Sequence, residues 1–424
     1  MKTIGLNTAL KESATLAVNQ TAIKLRSSGK SIAHLGFGQS PFPVPKLIQS
    51  ALKDAAARHE YLPTFGLTEL RETFCQYYNK NFKTSFSAEN TIIGPGSKEL
   101  IFQILMASDA TVMVPAPSWV SYAPQAHILK KKLSYLKTRY EDRFLITADL
   151  LEKSCQENPS KDKILILNSP SNPTGQVYTS KELEAIVPVL KKYNVTVISD
   201  EIYADLCFDG TRATSISTLY PERTIVTTGL SKAFSAGGYR LGIASLPAGF
   251  KELLSDLKVL ISETYSCVST PIQVAAIEAY KSHKEIKDYL SLTTSVHKFA
   301  INYMYENLVR CGFSAQPGQG GFYLFPNLNA HKKVLNEIGI KNSSDLALYL
   351  LEHYEVATLP GSDFYQEVDD FSLRMAIVDY EGESLLEALK AGESLDQDFL
   401  EKYTPKLKLA AKSFERFFND KLKN

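Results

Sequence analysis

KILILNSPSNPTGQVYTSKELEAIVPVLKKYNVTVISDEIY, residues 163–203, contains a strand, a loop, a helix and a second strand in succession. We predict the strands at 164–167 (ILIL) and 195–199 (VTVIS), because short apolar or β-branched runs are typical of strands covered on both faces. A helical pattern at 179–193 lies between them. A helix that joins two strands lets them lie parallel in one sheet, so this stretch predicts an α/β fold.

The same alternation continues on both sides of this unit. Further strands are predicted at 111–114, 224–228 and 240–246, and further helices at 97–107, 119–128 and 249–261. Repeated strand–helix alternation is typical of a mostly parallel sheet flanked by helices. We therefore predict a large domain of this α/β class.

The C-terminal third has a different pattern. A long helical pattern runs from 270 to 311 with a break near His283, and short strands follow near 322–326 and 371–376. This pattern predicts a smaller α+β domain, which the N-terminal segment joins. The predicted division is an N-terminal segment at 1–45, a large domain at 46–291, and a small domain with an extended helical tail at 292–424.

The predicted tail has an apolar stripe. Its apolar residues lie three or four positions apart, which is typical of one face of a helix packed on its own domain. These residues are Leu400, Tyr403, Leu407, Ala411, Phe414 and Phe418.

Composition excludes several classes of protein. The chain has 424 residues with 47 Lys and Arg against 46 Asp and Glu, a net charge of +1. This balance gives no global electrostatic reason to bind nucleic acid or an anionic membrane, and we expect neither partner. No apolar run approaches the length of a membrane span, and the start MKTIGLNTALKESATL lacks the apolar core of a signal peptide.

The cysteines and histidines point to no metal and no disulfide framework. The five cysteines are far apart and form no CxxC pair, which fits a reduced, cytoplasmic protein. With the seven histidines they form no cluster of metal-ligand spacing, so we expect no metal site.

The segment LSKAFSAGGYRLG (230–242) follows a predicted strand. A lysine just past a strand end, Lys232, can be held rigid and partly desolvated, which lowers its pKa and frees the amine for Schiff-base chemistry. Arg240, eight residues later, suits a phosphate because its planar group donates two hydrogen bonds. Taken alone, the segment fits a loop lysine and a surface arginine equally well.

Two further segments follow strands of the same predicted sheet. In SDEIYADL (199–206), Asp200 can pair with a protonated ring nitrogen at the carboxyl end of its strand, although an aspartate that caps the next turn is the ordinary alternative. NSPSNPTG (168–175) combines two prolines, two asparagines and a glycine. It indicates a rigid, tightly turned loop in which X-Pro bonds can be cis.

The segment GPGSKELI (94–101) opens a helical pattern. Backbone N–H groups at a helix start, together with the Ser97 hydroxyl, can bind a phosphate. The spacing matches neither a Walker A loop nor GxGxxG, which weakens a nucleotide-binding interpretation. A lysine, a strand-end aspartate, an Asn-Pro loop and a phosphate cradle together are what pyridoxal 5′-phosphate requires.

The chain resembles the class I/II pyridoxal-phosphate aminotransferases of the aspartate aminotransferase fold, known as fold type I. SNPTG, DEIY and SKxxxxxxxR occur in the order and spacing of that family, and the resemblance extends from SATLAVNQTAIKL (13–25) to FSLRMAIV (371–378). YLPTFGLTELRE (61–72) and PSWVSY (117–122) are also similar to family segments.

The resemblance implies roles for individual residues. Lys232 would bind the cofactor covalently and transfer the substrate proton, and Asp200 would keep the ring nitrogen protonated. Arg374 would bind the α-carboxylate of the substrate. Tyr203 and Asn172 would hydrogen-bond the 3′ oxygen, and Trp119 would stack on the ring. The phosphate would be held by residues of the same chain and by Tyr61 of the neighbouring subunit in a homodimer; the former are Gly96, Ser97, Lys98, Arg240 and Ser231. Gly38, Asn172 and Trp119 would lie beside the substrate.

The resemblance also implies a reaction. We expect a ping-pong aminotransferase with an L-amino acid donor and 2-oxoglutarate as acceptor. A lyase or decarboxylase on the same fold, such as a C–S lyase or a relative of aminocyclopropane-carboxylate synthase, is the alternative. A non-catalytic regulator with this fold is a third possibility, against which the intact Lys232, Asp200 and Arg374 argue.

Donor preference follows from a departure from the family pattern. GFGQSPFPVP (36–45) carries phenylalanines where the family often has acidic residues. One aspartate-specific branch of the family has an arginine near the position of Tyr265, and this arginine reads the distal carboxylate of the substrate. We expect Phe37, Phe42 and Tyr265 to line an uncharged entrance. Aromatic, methionine-like or other neutral donors are then preferred to aspartate, because a carboxylate would be desolvated without a partner.

Overall fold

The computed structural model describes residues 14–27, 29–210 and 212–423, so residues 1–13 of the predicted N-terminal segment lie outside the described part. The strands of the described chain are β1 (Ala33–His34), β2 (Thr91–Gly94), β3 (Thr111–Ala116), β4 (Leu133–Lys137), β5 (Lys163–Asn168), β6 (Thr196–Asp200), β7 (Thr224–Gly229), β8 (Gly242–Ser245), β9 (Tyr323–Leu324), β10 (Val356–Ala357), β11 (Leu359–Pro360) and β12 (Leu373–Ala376).

The described residues also form a series of α-helices. They are α1 (Ala14–Ser27), α2 (Lys46–Asp54), α3 (Thr68–Phe82), α4 (Ser97–Met106), α5 (Tyr122–Ile128), α6 (Ala148–Glu157), α7 (Ser180–Lys192), α8 (Lys251–Ser262), α9 (Thr270–Tyr280), α10 (Lys284–Arg310), α11 (Lys332–Glu337), α12 (Ser343–Tyr354), α13 (Gly382–Lys390), α14 (Gln397–Tyr403) and α15 (Pro405–Phe417). Within the described residues, no helix has both the length and the apolar character needed to cross a membrane.

The central sheet has seven strands in the order β2-β8-β7-β6-β5-β3-β4. Its pairs from β7 to β4 are parallel, whereas β8 runs antiparallel to both of its neighbours, β2 and β7. The predicted α/β class with a mostly parallel sheet is therefore confirmed. The sequence pattern identified a strand near 240–246 but not its reversed direction, because a run of four buried residues carries no directional signal.

Alternate residues of the central strands face opposite layers of helices. On β5, Leu165 and Leu167 pack in one apolar cluster with Leu183 of α7, whereas Ile164 and Ile166 pack in another with α4. Both faces of the sheet are therefore covered by helices and shielded from water, which is why these strands are continuously apolar in sequence. Helix α7 begins at a capping box in which Thr179 and Glu182 bind each other's backbone N–H groups.

The C-terminal third forms an α+β arrangement that the N-terminal segment joins. Strand β1 pairs in parallel with β10, and β11, β12 and β9 form a separate antiparallel sheet. The predicted break near His283 is present, because α9 ends at Tyr280 and α10 begins at Lys284. The proposed boundary between 291 and 292 falls inside α10, and the proposed domain division remains a prediction.

The tail consists of two helices and a final π-helical turn at Phe418–Leu422. Leu400, Leu407 and Phe414 are fully buried, and the Phe414 ring lies 5.4 Å from the Phe313 ring. The apolar stripe thus packs on its own part of the chain, as the sequence pattern predicted, although Tyr403 and Phe418 stay partly exposed.

Candidate active site

The candidate site lies where β5 and β6 end and where the loop after β7 begins. In the loop after β5, the Asn168 side chain accepts a hydrogen bond from the Asn172 backbone N–H at 2.8 Å and donates to the Asp200 carbonyl at 2.7 Å. Asn168 therefore ties this loop to the end of β6. The Ser169–Pro170 and Asn172–Pro173 bonds are cis.

Asn172 differs from Asn168 in its environment. The residue is buried, and its Oδ1 has no hydrogen-bond partner among the described residues. A buried polar oxygen without a partner is unfavourable unless a ligand or water meets it. Asn172 is thus available to a bound molecule.

Asp200 is buried at the end of β6. Its Oδ2 accepts a hydrogen bond from the Tyr122 hydroxyl at 2.7 Å, while Oδ1 has no hydrogen-bond partner among the described residues. Burial raises the pKa of Asp200 to about 6, although the Tyr122 hydrogen bond opposes this shift. A cationic N–H donor next to Oδ1 would stabilise the ionised carboxylate of Asp200 and so lower its pKa again. Tyr122 was not singled out from the sequence, although it closes the quoted PSWVSY segment.

Lys232 lies in the loop after β7, opposite the N-terminal segment. Its Nζ donates to the Gly38 carbonyl at 2.7 Å and lies 5.8 and 5.7 Å from the ring centroids of Tyr203 and Phe322. The amine therefore lies beside two aromatic rings. Ser231 precedes it in the same loop.

Arg374 lies on β12 and is 5% exposed. Its Nη2 donates to the Gly36 carbonyl at 2.5 Å, and its Nε has no partner among the described residues. The guanidinium carbon lies 5.0 Å from the ring centroid of Tyr323. Burial lowers the pKa of Arg374, so an anion that reaches the side chain is strongly favoured. Two carbonyls of the N-terminal segment, at Gly36 and Gly38, thus accept hydrogen bonds from Arg374 and Lys232, respectively.

The start of α4 forms a cradle with Arg240. Gly96 has a φ of 99°, and a Cβ added there would lie 2.3 Å from Arg240 Nη2, so only glycine fits. Arg240 itself has a φ of 51° and donates to the carbonyls of Gly237 and Pro95. Arg240 thus lies beside the N-terminus of α4, where its guanidinium can meet an anion together with the backbone N–H groups of the helix. Ser97 is the first residue of α4.

Of three other predicted residues, Trp119 and Lys98 lie together near the start of α4, whereas Tyr61 lies elsewhere. The Trp119 ring lies 5.2 Å from the Tyr122 ring, and the Lys98 ammonium lies 4.9 Å from the Trp119 ring centroid. Burial lowers the pKa of Lys98, and the charges of Arg240 and Lys232 add to that shift. Tyr61 lies outside this cluster, with 89% of its surface exposed.

Phe42 does not line the entrance as expected. It is 5% exposed, and its ring lies 5.1 Å from His297 and 5.9 Å from Tyr380. Burial lowers the pKa of His297 to about 3, so its ring stays neutral. The expectation for Phe42 is wrong because the residue after Pro41 turns inward onto α10 and α13. Phe37 is 59% exposed, and Tyr265 is partly buried.

Glu201 forms a buried polar cluster directly behind Asp200. Its carboxylate accepts hydrogen bonds from Ser199, Ser215 and Tyr78 at 2.9, 2.6 and 3.1 Å. Despite these bonds, burial raises the pKa of Glu201 to about 7. The folded state therefore holds a proton that the unfolded chain loses near the ordinary carboxyl pKa.

This pKa leads to a prediction for Glu201→Gln. As the pH rises from about 4.5 to 7, the wild type should lose up to roughly 3 kcal/mol of unfolding free energy, because the raised pKa favours the folded state only while Glu201 is protonated. The glutamine variant should lack this loss. Urea unfolding of the cofactor-free proteins at pH 5 and pH 8 measures the difference. Glu252→Gln, an exposed change on α8, is the control, and equal pH dependence of wild type and Glu201→Gln contradicts the prediction.

The chain matches the family described as aminotransferase class I and II over residues 30–390. It is 33% identical over 366 residues to an asparagine–oxo-acid transaminase of Streptococcus mutans, covering 84% of this chain and 90% of that protein. An aspartate aminotransferase of Bacillus subtilis is 32% identical over 365 residues, with the same coverage.

Solved structures agree with these relatives. The aspartate aminotransferase of Thermus thermophilus with maleate superposes with a TM-score of 0.81 at 26% identity, covering 97% of this chain and 100% of that one. The aspartate aminotransferase from Rhizobium meliloti has a TM-score of 0.85 at 25% identity, covering 99% of both chains.

Proposed function

Since the chain belongs to the aminotransferase class I and II family, we propose that it transfers the amino group of an L-amino acid to 2-oxoglutarate by a ping-pong mechanism. It is an enzyme, an aminotransferase whose cofactor is pyridoxal 5′-phosphate. The observation that carries the proposal is that an amine, Lys232, and a guanidinium, Arg374, bind carbonyls only two residues apart, those of Gly38 and Gly36. This arrangement suits a substrate that has both an amino group and a carboxylate.

The described residues fit the cofactor. Asp200 Oδ1 and Asn172 Oδ1 are buried oxygens without hydrogen-bond partners among the described residues. The start of α4 with Arg240 provides N–H donors for a phosphate. We propose that Lys232 binds the cofactor covalently, that Asp200 pairs with the ring nitrogen, and that Trp119 stacks on the ring. We propose that Tyr203 and Asn172 hydrogen-bond the 3′ oxygen. We propose that the phosphate is held by Gly96, Ser97, Lys98, Ser231 and Arg240. When bound, pyridoxal phosphate supplies an electron sink for the charge that develops at the substrate α-carbon.

The protein groups then perform binding and proton transfer. Arg374 exchanges the Gly36 carbonyl for the substrate α-carboxylate, which it can bind through two parallel hydrogen bonds. Asn172 and the backbone of Gly38 complete this contact. Lys232 would remove the proton from the α-carbon as a general base and deliver it to C4′ of the cofactor. The rings of Tyr203 and Phe322 beside the amine limit the access of water.

A half-reaction measurement tests the proposed function. Purified holoprotein mixed with a donor amino acid, without any acceptor, should form one equivalent of 2-oxo acid per site and change its cofactor absorbance once. Adding 2-oxoglutarate should restore the absorbance, and initial rates should give parallel double-reciprocal lines. Continuous release of ammonia without an acceptor would instead identify the lyase alternative.

Lys98 affects which side chains the site accepts. Its ammonium lies over the Trp119 ring and close enough to Lys232 for their charges to interact, whereas the sequence suggested an uncharged entrance. We propose that it binds the distal carboxylate of 2-oxoglutarate. The same contact favours aspartate as a donor, which agrees with the names of the relatives and weighs against the neutral or aromatic preference. That preference remains a prediction, and a donor panel at fixed acceptor decides it: a tenfold or larger preference for aspartate excludes it.

We predict that Lys98→Gln raises the KM for 2-oxoglutarate by about 10- to 100-fold, because a hydrogen bond to a charged group contributes about 1.5–3 kcal/mol. The kcat/KM of the half-reaction with methionine or phenylalanine should change less than threefold, since these donors have no distal charge. Steady-state kinetics of both substrates measure this. Lys130→Gln, which changes a surface lysine elsewhere, is the control. An unchanged KM for 2-oxoglutarate contradicts the role of Lys98.

We propose that the enzyme is a cytoplasmic homodimer. The exposed Tyr61 supports the dimer, because the family resemblance assigns its hydroxyl to the phosphate site of the neighbouring subunit, and two-fold dimers bury the same patch on both subunits. All five cysteines are free, which supports a reducing compartment. Sedimentation at assay concentration tests the dimer, and fully active monomers contradict it.

A further inference from the structure

Tyr323 connects two residues of the proposed site but did not emerge from the sequence. Its hydroxyl lies 2.9 Å from the Tyr203 hydroxyl, and its ring centroid lies 5.0 Å from the Arg374 guanidinium carbon. Tyr323 is 1% exposed. Pairing of β9 with β12 holds its backbone opposite Ala376, two residues beyond Arg374. The position of its backbone is therefore set by the sheet.

The surroundings of the Tyr323 hydroxyl determine which way its proton points. A guanidinium can donate hydrogen bonds but cannot accept them, so the charge of Arg374 favours the orientation in which the oxygen lone pairs of Tyr323 face it. The proton of Tyr323 then points away, toward the Tyr203 oxygen at 2.9 Å. Tyr203 consequently has its own proton left for a different acceptor.

Close packing prevents the Tyr323 hydroxyl from moving. A Cβ added to Gly38 would lie 2.2 Å from the Tyr323 hydroxyl oxygen, so the glycine backbone passes directly over it. The carbonyl of the same glycine accepts a hydrogen bond from Lys232 Nζ at 2.7 Å. Tyr323 therefore lies between the groups that the proposed function assigns to the cofactor and the group that it assigns to the substrate carboxylate.

We propose that Tyr323 is a positioning residue that orients the Tyr203 hydroxyl, so that Tyr203 donates its proton to the 3′ oxygen of the cofactor. This inference rests on the proposed function, because it takes the cofactor at Lys232 as given. A hydrogen bond donated to the 3′ oxygen stabilises the anionic oxygen, which lowers the pH at which the Lys232-bound cofactor loses its proton. That pH is measurable as the midpoint of an absorbance titration, without any turnover.

Tyr323→Phe removes only the oxygen and keeps the ring. In holoprotein, we expect the absorbance midpoint to rise by about 0.5–1 pH unit, which is a ~3- to 10-fold change in proton affinity. Tyr203→Phe should raise the midpoint at least as much. The double variant Tyr203→Phe/Tyr323→Phe should then have the same absorbance midpoint as Tyr203→Phe alone, because Tyr323 acts through Tyr203. An unshifted midpoint in Tyr323→Phe, or equal shifts in both backgrounds, overturns the proposal.

Controls separate this inference from packing effects and from the proposed function. Tyr280→Phe removes another buried hydroxyl, one without a hydrogen-bond partner among the described residues, and should leave the midpoint unchanged. If Tyr323→Phe does not fold, Gly38→Ala displaces the Tyr323 hydroxyl instead and should raise the midpoint in the same direction, whereas an unchanged midpoint overturns the proposal. A wild type that shows no lysine-bound cofactor absorbance refutes the proposed function itself.

Discussion

Lys232→Ala is expected to reduce aminotransferase turnover by about 10⁴-fold or more, because it removes both the covalent attachment and the base that transfers the α-carbon proton. The protein should still fold, since Lys232 is partly exposed and, among the described residues, its side chain donates a hydrogen bond only to the Gly38 carbonyl. Purified variant assayed with a donor and 2-oxoglutarate gives the rate, and circular dichroism gives the fold.

A chemical experiment supports the same assignment without relying on lost activity. Borohydride reduction of wild-type holoprotein followed by peptide mapping should place the cofactor label on Lys232. Lys251→Ala, at the start of α8, is a matched control and should keep full activity. A label on another lysine, or substantial turnover by Lys232→Ala, means that a different amine attaches the cofactor.

The second large effect is expected for Asp200→Asn, which should lower kcat by about 10³-fold, or roughly 4 kcal/mol of transition-state stabilisation. The amide has nearly the shape of the carboxylate, but it has no negative charge to hold a proton on the ring nitrogen. The electron sink is then weakened. Tyr122→Phe removes only the hydrogen bond to Oδ2 and should have a smaller effect, about tenfold.

Stability distinguishes this role from a structural one. In the cofactor-free protein, burial raises the pKa of Asp200 to about 6, so its ionised form destabilises the fold above that pH. Asp200→Asn should therefore be at least as stable as the wild type at pH 8, although it is nearly inactive. Near-normal turnover by Asp200→Asn contradicts the assigned role, whereas a large loss of stability indicates that the carboxylate is needed for folding.

Much of the candidate site follows from where strands end. Asn172, Asp200 and Lys232 all come directly after predicted strands, and parallel strands bring their carboxyl ends to one edge of a sheet. The structure joins Asn172 and Asp200 through Asn168. Tyr203 and Tyr323 connect Lys232 to Arg374. Their individual roles remain predictions, which the variants above test.

Other features had no signal in the sequence. Tyr122 and Tyr323 are ordinary aromatic residues in apolar surroundings, and only their hydroxyl contacts with Asp200 and Tyr203 distinguish them from core residues. Lys98 occurs in a segment whose backbone was expected to bind phosphate, and the direction of its side chain over Trp119 was not predictable.

The sequence by itself determined the α/β class, the order of the strands and helices in the chain, and the loops that carry the polar residues, because these depend on local periodicity and turn chemistry. Only the tertiary structure decided the antiparallel direction of β8, the burial of Phe42 and the contacts of Arg374 with Gly36 and of Tyr203 with Tyr323. These two contacts join residues 338 and 120 positions apart. Such pairs depend on how separate elements pack and on where each side chain points, and local sequence patterns contain neither.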